Sequence, residues 1–279
     1  MADPALIWIR LTIVRSPMKP EFIVGKITSN PEITNVFWMQ ICEFKNAITI
    51  DDKKKEELIG VVLEVMKKLE SVNYHRSNLE RIVEEKLSAM ESVRQAGYDR
   101  TTGAENEFEA FLLQGKATLD VLVKVLSPLC NIKLQTYGDS GSRVLKALKN
   151  NLPKGELERA DWLMKMIEVS VPWLQQWVGP YRDTIAHYKS MDSTGFLTIP
   201  DASGNLVHHP PRDKRGMLLH ELANSLFSDL VVFCEDFLVF AYRIKIFKGL
   251  EIGYTDEHKR TTESPCKYGL FMVNYTERS

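Results

Sequence analysis

The sequence predicts a mainly α protein: an up-and-down helical bundle with a small β-containing N-terminal region and a peripheral hairpin. Three observations carry this. Apolar residues recur at three- and four-residue spacing in several long segments after Asp51. Gly and Pro fall mostly between those segments. Short β-rich runs concentrate near the start and in one stretch around 196–211.

Element by element, residues 1–50 form a small mixed or extended region: IWIRLTIV and EFIVGKIT read as strands, and ITNVFWMQICEFK fits strand or helix equally. From Asp51, DDKKKEELIGVVLEVMKKLESV opens with acids and repeats apolar residues at helical spacing. SNLERIVEEKLSAMESVRQAG predicts a second helix, with Ser77 or Asn78 as N-cap, a stripe of Leu79, Ile82, Val83, Leu87, Met90 and Val93, and Gly97 as its stop. ENEFEAFLLQGKATLDVLVKVLSP aligns Phe108, Phe111, Leu112, Leu119, Leu122 and Leu126 and ends before Pro128. A short polar connection makes these two helices antiparallel neighbours.

SGSRVLKALKNN, GELERADWLMKMIEV and VPWLQQWV read as shorter helices, the last stopped or kinked by Gly179-Pro180. GFLTIPDASGNLVHHPP is a hairpin or long loop that turns at Ser203-Gly204-Asn205. RGMLLHELANSLFSDLVVFCEDFLVFAYRIKIF is the longest and most apolar helix and belongs at the centre of the bundle. The organisation is thus an N-terminal region over 1–50, a helical bundle over 51–250 with an excursion at 196–211, and an irregular tail over 251–279.

The 279 residues suffice for one large core or two small ones, and 44% apolar with 26% charged residues is ordinary globular composition. Lys and Arg number 36 against 37 Asp and Glu, so a field over the whole surface, as in a duplex-coating protein, is excluded, and nucleic-acid contact requires a local patch. Cys42, Cys130, Cys234 and Cys266 are far apart, which suggests reduced structural thiols rather than a zinc site or a disulfide framework. MADPALIWIRLTIV carries Asp3 and Arg10 and does not read as a secretion leader; Asp229, Glu235 and Asp236 interrupt the most apolar segment. A cytoplasmic protein with no membrane association, no cofactor and no metal is expected.

GPYRDTIAHYKS, Gly179–Ser190, places Arg182, Asp183 and His187 just past a helix break. An arginine supplies a fixed cation for a phosphate, and a histidine titrates near neutrality for proton transfer. Together they suit attack of a ribose 2′-hydroxyl on its own phosphodiester without metal: His187 as base or acid, Arg182 neutralising charge on the phosphate oxygens, Asp183 orienting either one. Thr184, Tyr188 and Lys189 are secondary substrate contacts. On an ideal helix a spacing of five residues separates side chains by about 140° and about 7.5 Å of rise, so the pair does not share a face. Either the Gly-Pro break leaves Arg182 in a non-ideal first turn from which its long side chain curls around to His187, or, as the favoured expectation, the site combines two motifs across a symmetric dimer.

RDTIAHY resembles the signature of the HEPN superfamily (higher-eukaryote and prokaryote nucleotide-binding domains): an arginine, then Asn, Asp or His, three further residues and a histidine. The resemblance covers the motif and its helical context, roughly residues 75–248. It implies an all-α bundle that dimerises through the motif-bearing face. It also implies a metal-independent endoribonuclease of toxin, anti-phage or RNA-processing systems, with Arg182 and His187 as the catalytic pair and Asp183 at the adjacent polar position. An antitoxin or nucleotidyltransferase partner is implied as well. Some members carry a tyrosine two residues after the histidine; here Tyr188 follows directly. The same scaffold hosts non-catalytic nucleotide- or RNA-binding proteins, and that reading stands beside the enzyme.

Plainer readings accompany the motif: a surface ion pair for Arg182 and Asp183, a packed histidine for His187. Arg215 to His220 repeats the spacing on an apolar helix and is expected to be scaffold. His208-His209 lack a third metal ligand; Trp162, Trp173 and Trp177 fit core packing better than base stacking; Glu105 and Glu109 sit at a helix start, where the macrodipole explains them. Arg143, Lys146, Lys149, Lys154, Arg159 and Lys165 precede the motif, and Arg212, Lys214 and Arg215 follow the hairpin; they either track a phosphate backbone or form solvated helix faces.

Overall fold

The computed structural model describes residues 8–10, 33–92, 95–99, 102–138, 140–177, 193–213, 215–254 and 267–273. These residues are mainly helical, with small antiparallel sheets. The chain packs as two compact units, one drawn from residues 1–67, 119–171 and 233–279, the other from 68–118 and 172–232. Among the described residues no helix is long and apolar enough to cross a membrane.

In the first unit, a π-helical turn Thr34–Trp38 leads into α1 (Met39–Phe44), so the ambiguous ITNVFWMQICEFK resolves as helix. Helix α2 (Asp52–Met90) starts where Asp51 Oδ1 accepts the Lys54 amide at 2.9 Å, an N-cap bond. Its first turns bury Leu58, Val62, Val65 and Met66. Later in the chain come a 3₁₀ turn (Val123–Val125) and the next helix, which runs through Pro128 to Cys130 rather than ending before it; Asn131 closes it in the left-handed region at φ 57°. The 132–138 loop is pinned by Asp120, whose Oδ1 accepts Thr136 Oγ1 at 2.7 Å and the Tyr137 amide at 2.9 Å.

In chain order the remaining helices are α3 (Thr102–Leu122), α4 (Leu126–Cys130), α5 (Ser142–Asn151), α6 (Lys154–Arg159), α7 (Asp161–Trp177) and α8 (Leu219–Arg243). GELERADWLMKMIEV and VPWLQQWV redistribute: the break falls at Ala160, and α7 then continues through Pro172. Pro172 lacks the amide that Glu168 would accept, yet it lies on an exposed face while Leu163, Ile167 and Leu174 stay buried on the other. Phe237 to Tyr242 on α8 are all buried, the all-round pattern of a helix enclosed by its unit.

Arginines lock the C-terminal ends of α6 and α8 together. Arg243 Nη1 donates to Arg159 O at 2.9 Å, Arg159 Nη1 donates to Ile246 O at 2.6 Å, and the Arg243 guanidinium lies 4.4 Å from the Trp162 ring centroid. Each satisfies a carbonyl at or just past a helix end. Residues 250–254 and 268–273, expected to be irregular, form β7 and β8; β8 pairs antiparallel with β1 (Trp8–Arg10) on one side and with β7 on the other, in the order β1-β8-β7. Gly253 lets the Phe271 ring lie against the neighbouring strand, where a Cβ would come within 2.8 Å.

In the second unit, α2 continues where a new helix was expected at Ser77 or Asn78. The stripe Leu69, Val72, Leu79, Val83, Met90 extends Leu58, Val62 and Val65 in register, so no cap is needed. Helix α2 ends at Met90, ahead of Gly97, which instead lies in β2 (Gly97–Asp99). The pairs Lys68–Gln114 and His75–Glu107 step seven residues in opposite directions along α2 and α3, establishing the expected antiparallel packing. Strand β2 pairs with β4 (Phe196–Pro200), and β4 with β5 (Leu206–His209); the two-residue β3 (Ser193–Thr194) pairs with β6 (Arg212–Asp213). The predicted hairpin turn is present, with Asp201 Oδ1 accepting the Ser203 and Asn205 amides.

Candidate functional site

Arg182, Asp183, Thr184, His187, Tyr188 and Lys189 lie outside the described residues, as do residues 21–28, Cys266 and Lys214. Along the chain the motif is bracketed by α7, which ends at Trp177, and β3, which opens at Ser193.

The alternative sites named from sequence can be placed. The Asp213 carboxylate, its side chain 0% exposed, accepts the Arg215 and Met217 amides at 2.9 Å and Arg215 Nε at 2.8 Å, building the turn that enters α8. Arg215 is therefore held in a turn, and His220 is half-buried in the first turn of α8, so this second Arg-to-His spacing is scaffold. His208 and His209 sit on strand β5 rather than in a loop and so point to opposite faces; His208 Nδ1 is 2.9 Å from Thr198 Oγ1. Among the described residues no three His, Cys, Asp or Glu side chains gather as metal ligands.

Trp162 meets Phe240 edge-on at 5.6 Å beneath Arg243, a packing role; the side chains of Trp173 and Trp177 lie outside the described residues. Glu105 lies buried in the first turn of α3 and Glu109 is half-buried. Burial pushes the Cys130 thiol up to about 12 and raises Cys42 and Cys234 as well, which favours the protonated thiol at each.

Two features of the second unit escaped sequence reasoning. Arg76 occupies a position where the α2 stripe calls for an apolar side chain. Its Nη1 donates to Asn224 Oδ1 at 2.8 Å, its Nε and Nη2 reach Asn73 Oδ1, and its guanidinium stacks 5.0 Å from the Phe227 centroid. Nearby on the same helix, His75 Nδ1 is 2.7 Å from Glu107 Oε2. The signal was present as one cation interrupting a heptad-spaced apolar series. Tyr98, 58% exposed, leans on Gly195, where any Cβ would meet the Tyr98 Cε2 atom at 2.8 Å and Asp99 O at 2.6 Å. Only the register Tyr98↔Leu197 reveals that neighbourhood.

In the first unit, Glu235 is 6% exposed. Its Oε1 accepts Gln40 Nε2 at 2.6 Å and the Lys267 amide at 3.3 Å, while Asp236 accepts Lys267 Nζ at 2.8 Å and Tyr268 Oη at 2.7 Å. Desolvation raises the Glu235 carboxyl, the Asp236 charge adds to this, and Lys267 and Gln40 oppose it.

The cations proposed as a phosphate track separate into two groups. Arg159 is bonded to Ile246 O, Lys165 pairs with Asp161 at 2.8 Å, Arg212 donates to Gly216 O and Arg215 is held by Asp213. Arg143, Lys146 and Lys149 are exposed on α5, and the ion pair they make among the described residues is a loose one, Lys149 Nζ to Glu168 at 3.8 Å. No family model, curated protein or solved structure matches the chain.

Proposed function

We propose that the chain is a HEPN-like, metal-independent endoribonuclease acting as a homodimer, of the kind found in toxin or anti-phage systems. The observation that carries this reading is the heptapeptide RDTIAHY, set between α7 and α8 of a mainly helical chain. The helical setting supports it, because a bundle is the scaffold the resemblance implies.

In this proposal His187 takes the proton of a ribose 2′-hydroxyl, O2′ forms a bond to the adjacent phosphorus, and the P–O5′ bond breaks as O5′ gains a proton. The products are a 2′,3′-cyclic phosphate and a 5′-hydroxyl. Arg182 holds the phosphate oxygens as their charge grows, and Asp183 orients the pair. Thr184, Tyr188 and Lys189 contact the substrate strand, and facing motifs from two protomers complete each site. An antitoxin or nucleotidyltransferase is the proposed partner class.

The test is cleavage of mixed single-stranded RNA in EDTA by the wild type and by His187→Ala and Arg182→Ala variants whose thermal unfolding matches the wild type. Loss of a general acid/base should slow cleavage by about 10²- to 10⁴-fold and leave the wild type alone producing cyclic-phosphate ends. Equal cleavage by all three, or none by any, overturns the enzyme reading. RNA or nucleotide bound without turnover selects the non-catalytic HEPN-like scaffold instead.

A further inference from the structure

We infer that the exposed face of α5, carrying Ser142, Arg143, Lys146, Lys149 and Asn150, is a binding surface for the phosphate backbone of single-stranded RNA. The inference rests on the proposal that RNA is the chain's substrate class. It goes beyond that proposal because it names a surface remote in sequence from Arg182 and His187.

Helix α5 is firmly oriented. Val144 and Leu148 are fully buried and Leu152 nearly so, a stripe at four-residue spacing that fixes which side faces outward. Gly141, the residue before the helix, is clamped against Tyr137 and Ile167. The outward side is therefore set by the core: Ser142, Arg143, Lys146, Lys149 and Asn150 are all exposed.

The residues that α5 itself contributes to that side are one-signed, and the acid set against them among the described residues is Glu168, 3.8 Å from Lys149 Nζ with both side chains exposed. Between Ser140 and Gly155 the chain carries four cations and no acid, in a protein whose total charges nearly cancel. Arg143 to Lys149 spans about 9 Å of helix axis, and the two ends add a hydroxyl and a carboxamide. Cations interleaved with neutral donors match a backbone whose phosphates offer acceptors and negative charge, and such contacts carry affinity without sequence preference. A lipid surface fits less well: a helix lying on a membrane inserts its apolar face, and here Val144 and Leu148 are already committed to the core.

The test uses the full chain with His187→Ala, so that RNA stays intact, and a fluorescent oligouridylate followed by anisotropy in EDTA over a KCl series. Each single-strand phosphate contact contributes about 0.7 to the slope of log affinity against log salt. Replacing all three cations (Arg143→Gln, Lys146→Gln, Lys149→Gln) should therefore flatten the slope by about 2 and weaken binding about 100-fold near 0.1 M salt. These side chains are exposed, so the thermal midpoint should not move. A charge-matched control, Lys53→Gln with Lys124→Gln and Lys248→Gln, removes exposed cations elsewhere in the same unit and should leave the slope in place.

An unchanged slope in the α5 variant, or equal flattening in the control, overturns the surface. So does α5-dependent binding to phosphatidylserine-containing vesicles with none to RNA. Cleavage that depends on His187 combined with an unchanged slope removes the surface and leaves the catalytic reading intact. An α5-dependent slope without His187-dependent cleavage does the reverse.

Discussion

Replacing Gly141 with alanine is the substitution whose consequence the structure sets most firmly. Gly141 has φ +65°, in the left-handed region, and an added Cβ would lie 2.5 Å from both Ile167 Cγ2 and Tyr137 Oη and 2.9 Å from Tyr137 Cζ. Neither neighbour can give way easily: Tyr137 and Ile167 are both 0% exposed, and Tyr137 also packs edge-on against Phe233 and Phe237. A side chain in the left-handed region costs about 1–2 kcal/mol. Overpacking a filled core adds about 1–3 kcal/mol, and the stiffer unfolded chain returns up to about 1 kcal/mol.

The net expectation is a loss of about 2–4 kcal/mol, a large part of the roughly 5–15 kcal/mol typical of a folded protein. Urea unfolding followed by far-UV circular dichroism reads this directly. For a slope near 3 kcal/mol per molar, the midpoint should fall by about 1 M with the slope unchanged. Gly60→Ala is the matched control, since Gly60 lies inside α2 and a Cβ added there would meet nothing within 4 Å; alanine should stabilise that position by up to about 1 kcal/mol. A Gly141→Ala protein within about 0.5 kcal/mol of wild type would refute the reasoning, because surface-like tolerance is incompatible with contacts that close.

Two further predictions concern buried charge. The Glu235 carboxyl is raised in the folded protein above its ordinary value, so its contribution to stability is full below the unfolded carboxylate range and is lost as pH rises through the folded value. Glu235→Gln should thus gain thermal stability relative to wild type at pH 8 compared with pH 5, measured by melting at both; a gain independent of pH would refute it. Arg243→Ala should cost about 2–4 kcal/mol in chemical unfolding, from a charged hydrogen bond to Arg159 O and the stacking on Trp162. Arg243→Lys should recover less than half, because lysine lacks the planar fork; full recovery would show that charge alone matters there.

The helices were legible because their periodicity is local. Phe108, Phe111, Leu119 and Leu122 share a face in the sequence and are buried in α3. The segment from Leu219 to Arg243 forms a long helix that is enclosed from Phe237 to Tyr242 but exposes Glu221, Ser225, Asp229 and Val232 in its first half. Contrary to expectation, α2 is the longer helix, with 39 residues against its 25. Expectation and structure part where local signals lose to packing. Ser77 and Asn78 are good cap residues, but Leu79 and Val83 continue the same buried stripe, so breaking α2 there would leave its core face unpaired. Pro172 suggests a boundary because its missing amide is a local fact, whereas its exposed side of α7 leaves Ile167 and Leu174 packed. Strand β8 is hard to read in the sequence because one of its two partners is Trp8–Arg10, a long-range match that no window reveals, and β7 takes its place in the sheet only through β8. At the candidate site, the sequence supplied the motif and the structure sorted its rivals, placing Arg215 in a turn and His208 on Thr198.

Charge illustrates the same separation between what is counted and what is arranged. A net charge of −1 excludes a field over the whole surface, but electrostatic attraction at physiological salt acts over about 8 Å, so a polyanion responds to neighbours rather than totals. Many of the acids that balance the count are engaged: Glu156 by Lys245, Asp161 by Lys165, Asp213 by Arg215, and Asp236 by Lys267 and Tyr268. On α5 the counterpart is Glu168 alone among the described residues, at 3.8 Å from Lys149 with both side chains more than half exposed, a geometry that contributes little. A line of three cations therefore keeps its local potential inside a neutral protein. Because a salt slope counts the ions released by those cations, it reports the arrangement directly, whereas affinity at a single salt concentration mixes it with every other contact.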